Sequence, residues 1–149
     1  MTSIQSAQNL KMETAPAQGQ NSKLPFNIQE DLYDLKTALG QLKDNPNLVD
    51  DQSFQQKMLD YLQKYVDDFN ADVKDGSLTP DQQIALSGLN EDLNVKGLIN
   101  VYSDGTIYNP NTSSDIGTIM SNLLETNHGI SWIDIINQSI TSIQDKYSS

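Results

Sequence analysis

Trp132-Ile133-Asp134-Ile135-Ile136-Asn137-Gln138-Ser139-Ile140-Thr141-Ser142-Ile143-Gln144-Asp145-Lys146-Tyr147 is the stretch whose reading decides the fold of this chain. Ile133, Ile136, Ile140, Ile143 and Tyr147 recur in steps of three and four, the period that keeps one face of a helix turned toward a partner helix. Ser131 and Asp134 stand in capping-box positions at its start. Near the other end, Ile28, Leu32, Leu35, Leu39 and Leu42 repeat the pattern. Two such stripes predict an assembly of packed helices. Trp132 and Ile135 widen the apolar surface of the last helix beyond one narrow stripe. That helix therefore either sits deep in a core or carries a second face for a subunit or partner. Trp132, Ile133, Ile136, Ile140, Ile143 and Tyr147 are the candidate partner-binding residues.

Working outward from the stripes, Asn27 to Lys43 reads as one helix with Asn27 as its cap and Asp44-Asn45-Pro46-Asn47 as its stop. Phe54, Met58, Leu62, Tyr65, Phe69 and Val73 then place a second helix over about 50–74. The short link predicts an antiparallel helical hairpin. Asp75-Gly76 ends it, and Thr79-Pro80-Asp81-Gln82 supplies a cap, a first-position proline and an acidic first turn for a third helix reaching about Leu93. Gly88 weakens that helix. Between residues 98 and 108 the period changes, and two β-rich runs flank Ser103-Asp104-Gly105, which predicts one small β-hairpin. A fourth helix from about Ser114 buries Ile116, Ile119, Met120, Leu123 and Leu124 and stops near Asn127-His128-Gly129. The expected fold is mainly α: a coiled-coil-like helical bundle in which the first, second and last helices form the main body, the other two and the hairpin closing one end.

The first 25 residues carry eleven Ser, Thr, Asn or Gln side chains and no sustained apolar period. The expectation is a disordered tail over 1–25, followed by a single α-rich domain over 26–149. That tail is either a frayed terminus or a recognition or export segment. Charge divides at the same place: two lysines against one glutamate before residue 26, and seven lysines against nineteen acids after it. The whole chain has a net charge of −11 and every basic residue is lysine. An acidic domain without arginine lacks the means to neutralise phosphates, so nucleic acid is not an expected partner. No apolar run reaches the length of a membrane span, which argues against stable membrane insertion.

Catalytic and metal signatures are missing from the residues themselves. The chain has no cysteine and one histidine, His128, placed in a helix-ending loop. Asp67, Asp68, Asp72 and Asp75 crowd the end of the second helix, but Ala71 and Val73 fall where a calcium loop requires oxygen ligands. The carboxylate pairs Asp50-Asp51 and Glu91-Asp92 are adjacent in sequence and do not share a helix face. No phosphate-binding or nucleophile-elbow motif occurs. No cofactor and no metal is expected, and the chain reads as a non-enzymatic protein that binds other proteins and itself.

The layout resembles the extracellular components of bacterial type III secretion machines, the needle, needle-tip and filament proteins. The resemblance lies in the small, cysteine-free chain and the polar start Thr2-Ser3-Ile4-Gln5-Ser6-Ala7-Gln8-Asn9. It extends to a helical hairpin turning at Leu42-Lys43-Asp44-Asn45-Pro46-Asn47, and to a hairpin and short helix placed before a long C-terminal helix. It is architectural and spans most of the chain. It implies export without a cleaved signal, a secreted or cell-surface location, and self-assembly or tip attachment through the terminal helices. An acidic cytosolic adaptor or secretion chaperone is the first alternative, and a secreted effector the second.

Overall fold

Pro25, with φ −51° and ψ 144°, sets the backbone from which helix α1 (Phe26–Asp44) departs. A computed structural model describes residues 22–147, and of the tail expected over residues 1–25, residues 1–21 lie outside the described residues. Asn27 is not the cap of α1: it sits inside the first turn, where its side chain accepts the Ile28 N–H at 3.0 Å. Pro46 supports a 3-10 turn (Pro46–Asp50). Helix α2 (Gln52–Asp75) follows, two residues later than expected, because Asp51 is the residue whose carboxylate accepts the Phe54 N–H at 2.9 Å. Gly76 ends α2 at φ 75°, with the Ser77 N–H donating to the Asp72 carbonyl at 2.9 Å and the Gly76 N–H reaching Val73. This pairing ties up carbonyls that the last turn leaves open.

Helix α3 (Pro80–Val95) opens on a reciprocal cap between Thr79 and Gln82. Gln82 also donates to the carbonyls of Ser22 and Lys23, and the Leu24 N–H donates to the Tyr147 carbonyl at 3.2 Å. Leu24 is buried. Residues 22–24, within the stretch assigned by sequence to the tail, are thus bonded into the fold.

Strands β1 (Asn100–Val101) and β2 (Ile107–Tyr108) pair antiparallel where the hairpin was expected. In the turn only Gly105 takes a positive φ, 89°, while Asp104 accepts the Thr106 N–H. Helix α4 (Ser113–Leu124) is followed by a second hairpin, β3 (Thr126–Asn127) with β4 (Ile130–Ser131). Asn127-His128-Gly129 is therefore a strand-to-strand turn rather than a helix stop. His128 at φ 57° and Gly129 at φ 81° supply the two left-handed residues that a tight two-residue hairpin loop requires. Helix α5 (Trp132–Tyr147) begins directly from β4, with the expected Ser131 and Asp134 cap in place.

The fold is mainly α. Helices α1 and α2 form the antiparallel hairpin, and α5 runs antiparallel to α1: Lys43 is paired with Asp134 at one end and Leu24 with Tyr147 at the other. Helix α3 lies along α5 instead of closing an end of the bundle, as the Ser139 hydroxyl donating to Asp92 at 2.9 Å records. Helix α4 does close an end, packing on the 3-10 turn and α2. One continuous core holds Ile28, Leu32, Leu35, Leu39, Leu42, Met58, Leu62, Tyr65 and Phe69 together with the α5 stripe.

Candidate partner-binding surfaces

The five residues of the α5 stripe all face inward. Ile133, Ile136, Ile140 and Tyr147 have no measurable exposure, and Ile143 has 6 %. They meet α1, α3 and α4 of the same chain, so a partner could touch them only if α5 left the bundle. Trp132 differs. It is half-buried at the start of α5, with the Lys96 ammonium 5.3 Å from its ring centroid. Such a cation over an indole face is worth about 0.5–1 kcal/mol at an exposed site.

Around Trp132 the end of α3, the end of α4 and the β3–β4 hairpin enclose a cleft of about 420 Å³. Lys96, Glu125, Asn127, Ile130 and Ile135 line it. Ile135 also belongs to a groove of about 470 Å³ between α3 and α5, lined by Ala85, Gly88, Leu89, Ser139 and Ile143. A third hollow of about 470 Å³ lies at the corner of α1, the 3-10 turn and α2 beside Leu48 and Phe54. Large apolar side chains stand exposed outside the stripes: Phe26 on α1, Ile84 and Val95 on α3, Ile130 on β4. The heptad reading missed these positions because they lie off the stripes it follows. Ile84, out of step with Leu86, Leu89 and Leu93, was the legible one.

Several ionisable groups are engaged in structural contacts. Asp51 caps α2, Asp92 holds α5, and Asp75 accepts from Ser77. The Lys43 ammonium holds the Asp134 carboxyl below the usual range, aided by the Ser131 N–H. Asp104 is held low in the same manner by Thr106. His128 sits exposed at its turn. Among the described residues, no three His, Asp or Glu side chains are grouped so as to hold a metal ion. Asp72, the residue nearest the discounted calcium pattern, is 6 % exposed, and burial raises its carboxyl above the ordinary value. No helix among the described residues is long and apolar enough to cross a membrane.

Two carboxyls stand apart among the described residues, Asp31 and Asp72, each with a buried Oδ2 that has no hydrogen-bond partner. Asp31 on α1 is buried against α2, its Oδ1 accepting from Lys64 Nζ at 2.7 Å and its Oδ2 without a hydrogen-bond partner. Lys64 also reaches Asp68 at 3.1 Å. Nothing in the local pattern marked it, since Asp31 lies between Ile28 and Leu32 in the apolar period as one more charge in the first turns. The chain matches no family model, and no curated protein or solved structure matches it.

Proposed function

We propose that this chain is a non-enzymatic secreted protein that assembles with other proteins and with itself. On this reading it is a needle-tip or filament-like component of a type III secretion machine. The observation that supports the reading is the order of its parts: a helical hairpin, then a small mixed α and β portion, then an amphipathic C-terminal helix laid back along the first helix. Assembly through the terminal helices is then an exchange, in which α5 or α1 trades its contacts within the chain for equivalent contacts with a neighbour. The exposed Ile130 and the half-buried Trp132, which line one cleft, belong to the surface available without such an exchange.

Residues 1–25 fused to a reporter without its own export signal test the assignment. Export from a bacterium with a working type III machine, and retention in the same strain with the machine disabled, is the expected result. Retention in both strains overturns it in favour of the cytosolic adaptor. Molar mass by light scattering over a range of concentration is the companion measurement, and a rise with concentration is the expected outcome.

A further inference from the structure

Asp31 occupies a position in the α1 stripe where its neighbours are leucine and isoleucine, and its side chain has no exposure to solvent. A carboxylate so placed needs full hydrogen bonding or a proton. It has half of the first: Oδ1 takes Lys64, and Oδ2 has no donor. Asp68, one turn beyond Lys64 on α2, accepts from the same ammonium at 3.1 Å, so one lysine bridges the two carboxyls. Two carboxyls and one ammonium therefore meet across the seam between α1 and α2. We propose that Asp31 and Asp68 share one proton across this seam, and that losing it loosens α1 from α2, so that the bundle is tighter in mildly acidic than in alkaline solution.

The charges around the pair agree with that assignment. Those that act on Asp31 come from α2: Lys64, Asp68 and Tyr65, the last with its hydroxyl given to Asn90 at 2.6 Å. Asp72, one turn beyond Asp68, has its own buried Oδ2 without a hydrogen-bond partner, and burial raises its carboxyl as well. On the α5 side, Asp134 is taken by Lys43 at the far end of α1. Burial first, then the neighbouring Asp68 carboxyl, push the Asp31 carboxyl up to about 7 against the pull of Lys64. Burial works against Asp68 too, but the neighbouring Asp31 and Lys64 outweigh it and hold that carboxyl low. Lys64 is raised by its bond to Asp31 and stays charged.

The folded chain thus keeps a proton that the unfolded chain, with Asp31 at its ordinary 3.8, has already released. More protons on the folded state means stability that is full below about pH 4, declines as pH rises and levels off above about 7. The inference stands independently of the assembly reading.

The Asp31 side-chain carbon, followed by NMR in the full chain from about pH 5 to about pH 8.5, reads the titration directly. A midpoint near neutrality is expected, and a carboxyl already ionised at the lower limit overturns the proposal. Thermal unfolding over the same interval is expected to fall by roughly 5 °C or more toward high pH in the natural chain, and to flatten in Asp31→Asn, an isosteric stand-in for the protonated acid. An unchanged slope in Asp31→Asn overturns it. Should that variant fail to fold, amide exchange of the natural chain decides. Exchange in the first half of α1 must rise relative to α3 between the two pH limits, and a constant ratio sinks the idea.

Discussion

At the scale of single residues, two side-chain placements hold the small elements onto the helices. Asn70 on α2 donates to the Ile107 carbonyl at 2.7 Å and accepts the Ile107 N–H at 2.9 Å, so its amide pairs with β2 as another strand would. A two-stranded hairpin is marginal alone, and this bidentate bond fixes it to the bundle. Asn70→Ala leaves a partly buried N–H and C=O without partners and is expected to cost about 1–3 kcal/mol, read as a lower midpoint in urea unfolding. Gly117 on α4 serves close approach. A Cβ there would lie 3.0 Å from the Val49 carbonyl and 2.9 Å from the Gln55 amide, which itself donates to Val49. Gln55 can swing aside but the backbone carbonyl cannot, and the swing gives up a hydrogen bond. Gly117→Ala should therefore destabilise by about 1–3 kcal/mol despite its gain in helix propensity, and a thermal midpoint at or above that of the natural chain would contradict this packing.

At the scale of elements, what was legible in the sequence was whatever depended on local period. All ten residues of the two stripes are buried, and the five helices lie within a few residues of the expected bounds. The β1–β2 hairpin was legible from Asp104-Gly105. The second hairpin was not, because Thr126-Asn127 and Ile130-Ser131 are too short to show an alternation, and Asn-His-Gly serves equally to end a helix. The place of α3 was also hidden: its contact with α5 depends on pairing across about fifty residues, which no local pattern encodes. The α5 stripe can be tested directly. Burying each isoleucine is worth roughly 1.5–3 kcal/mol, and placing a carboxylate there adds the cost of an unpaired buried charge. Ile136→Asp with Ile140→Asp is expected to abolish the helical circular dichroism of the chain, whereas Gln138→Asp, on the exposed face of the same helix, leaves it unchanged. A doubly substituted chain that kept its helicity would show that the α5 stripe is not part of the core.

At the scale of the whole molecule, charge sets a background against which these contacts act. A net charge of −11 on 149 residues places many carboxylates on a small surface. Lys64 is committed to Asp31 and Asp68, and Lys43 to Asp134, so the strongest attractions are already formed at close range. What remains between more distant acids is repulsion, which acts over the Debye length and favours expansion. Raising sodium chloride from about 10 mM to about 150 mM shortens that length from ~30 Å to ~8 Å, reaching across the molecule in the first case and only to near neighbours in the second. Close ion pairs lose some strength by the same screening, but surface pairs are worth about 0–1 kcal/mol each and these are few beside the excess of acids. Screening should therefore stabilise on balance, and the thermal midpoint near pH 8 is expected to rise by a few degrees over that interval of salt. A falling midpoint would mean that the lysine bridges outweigh the repulsion. The same rise in salt should also promote association between copies, since two acidic bundles approach each other only when their fields are screened.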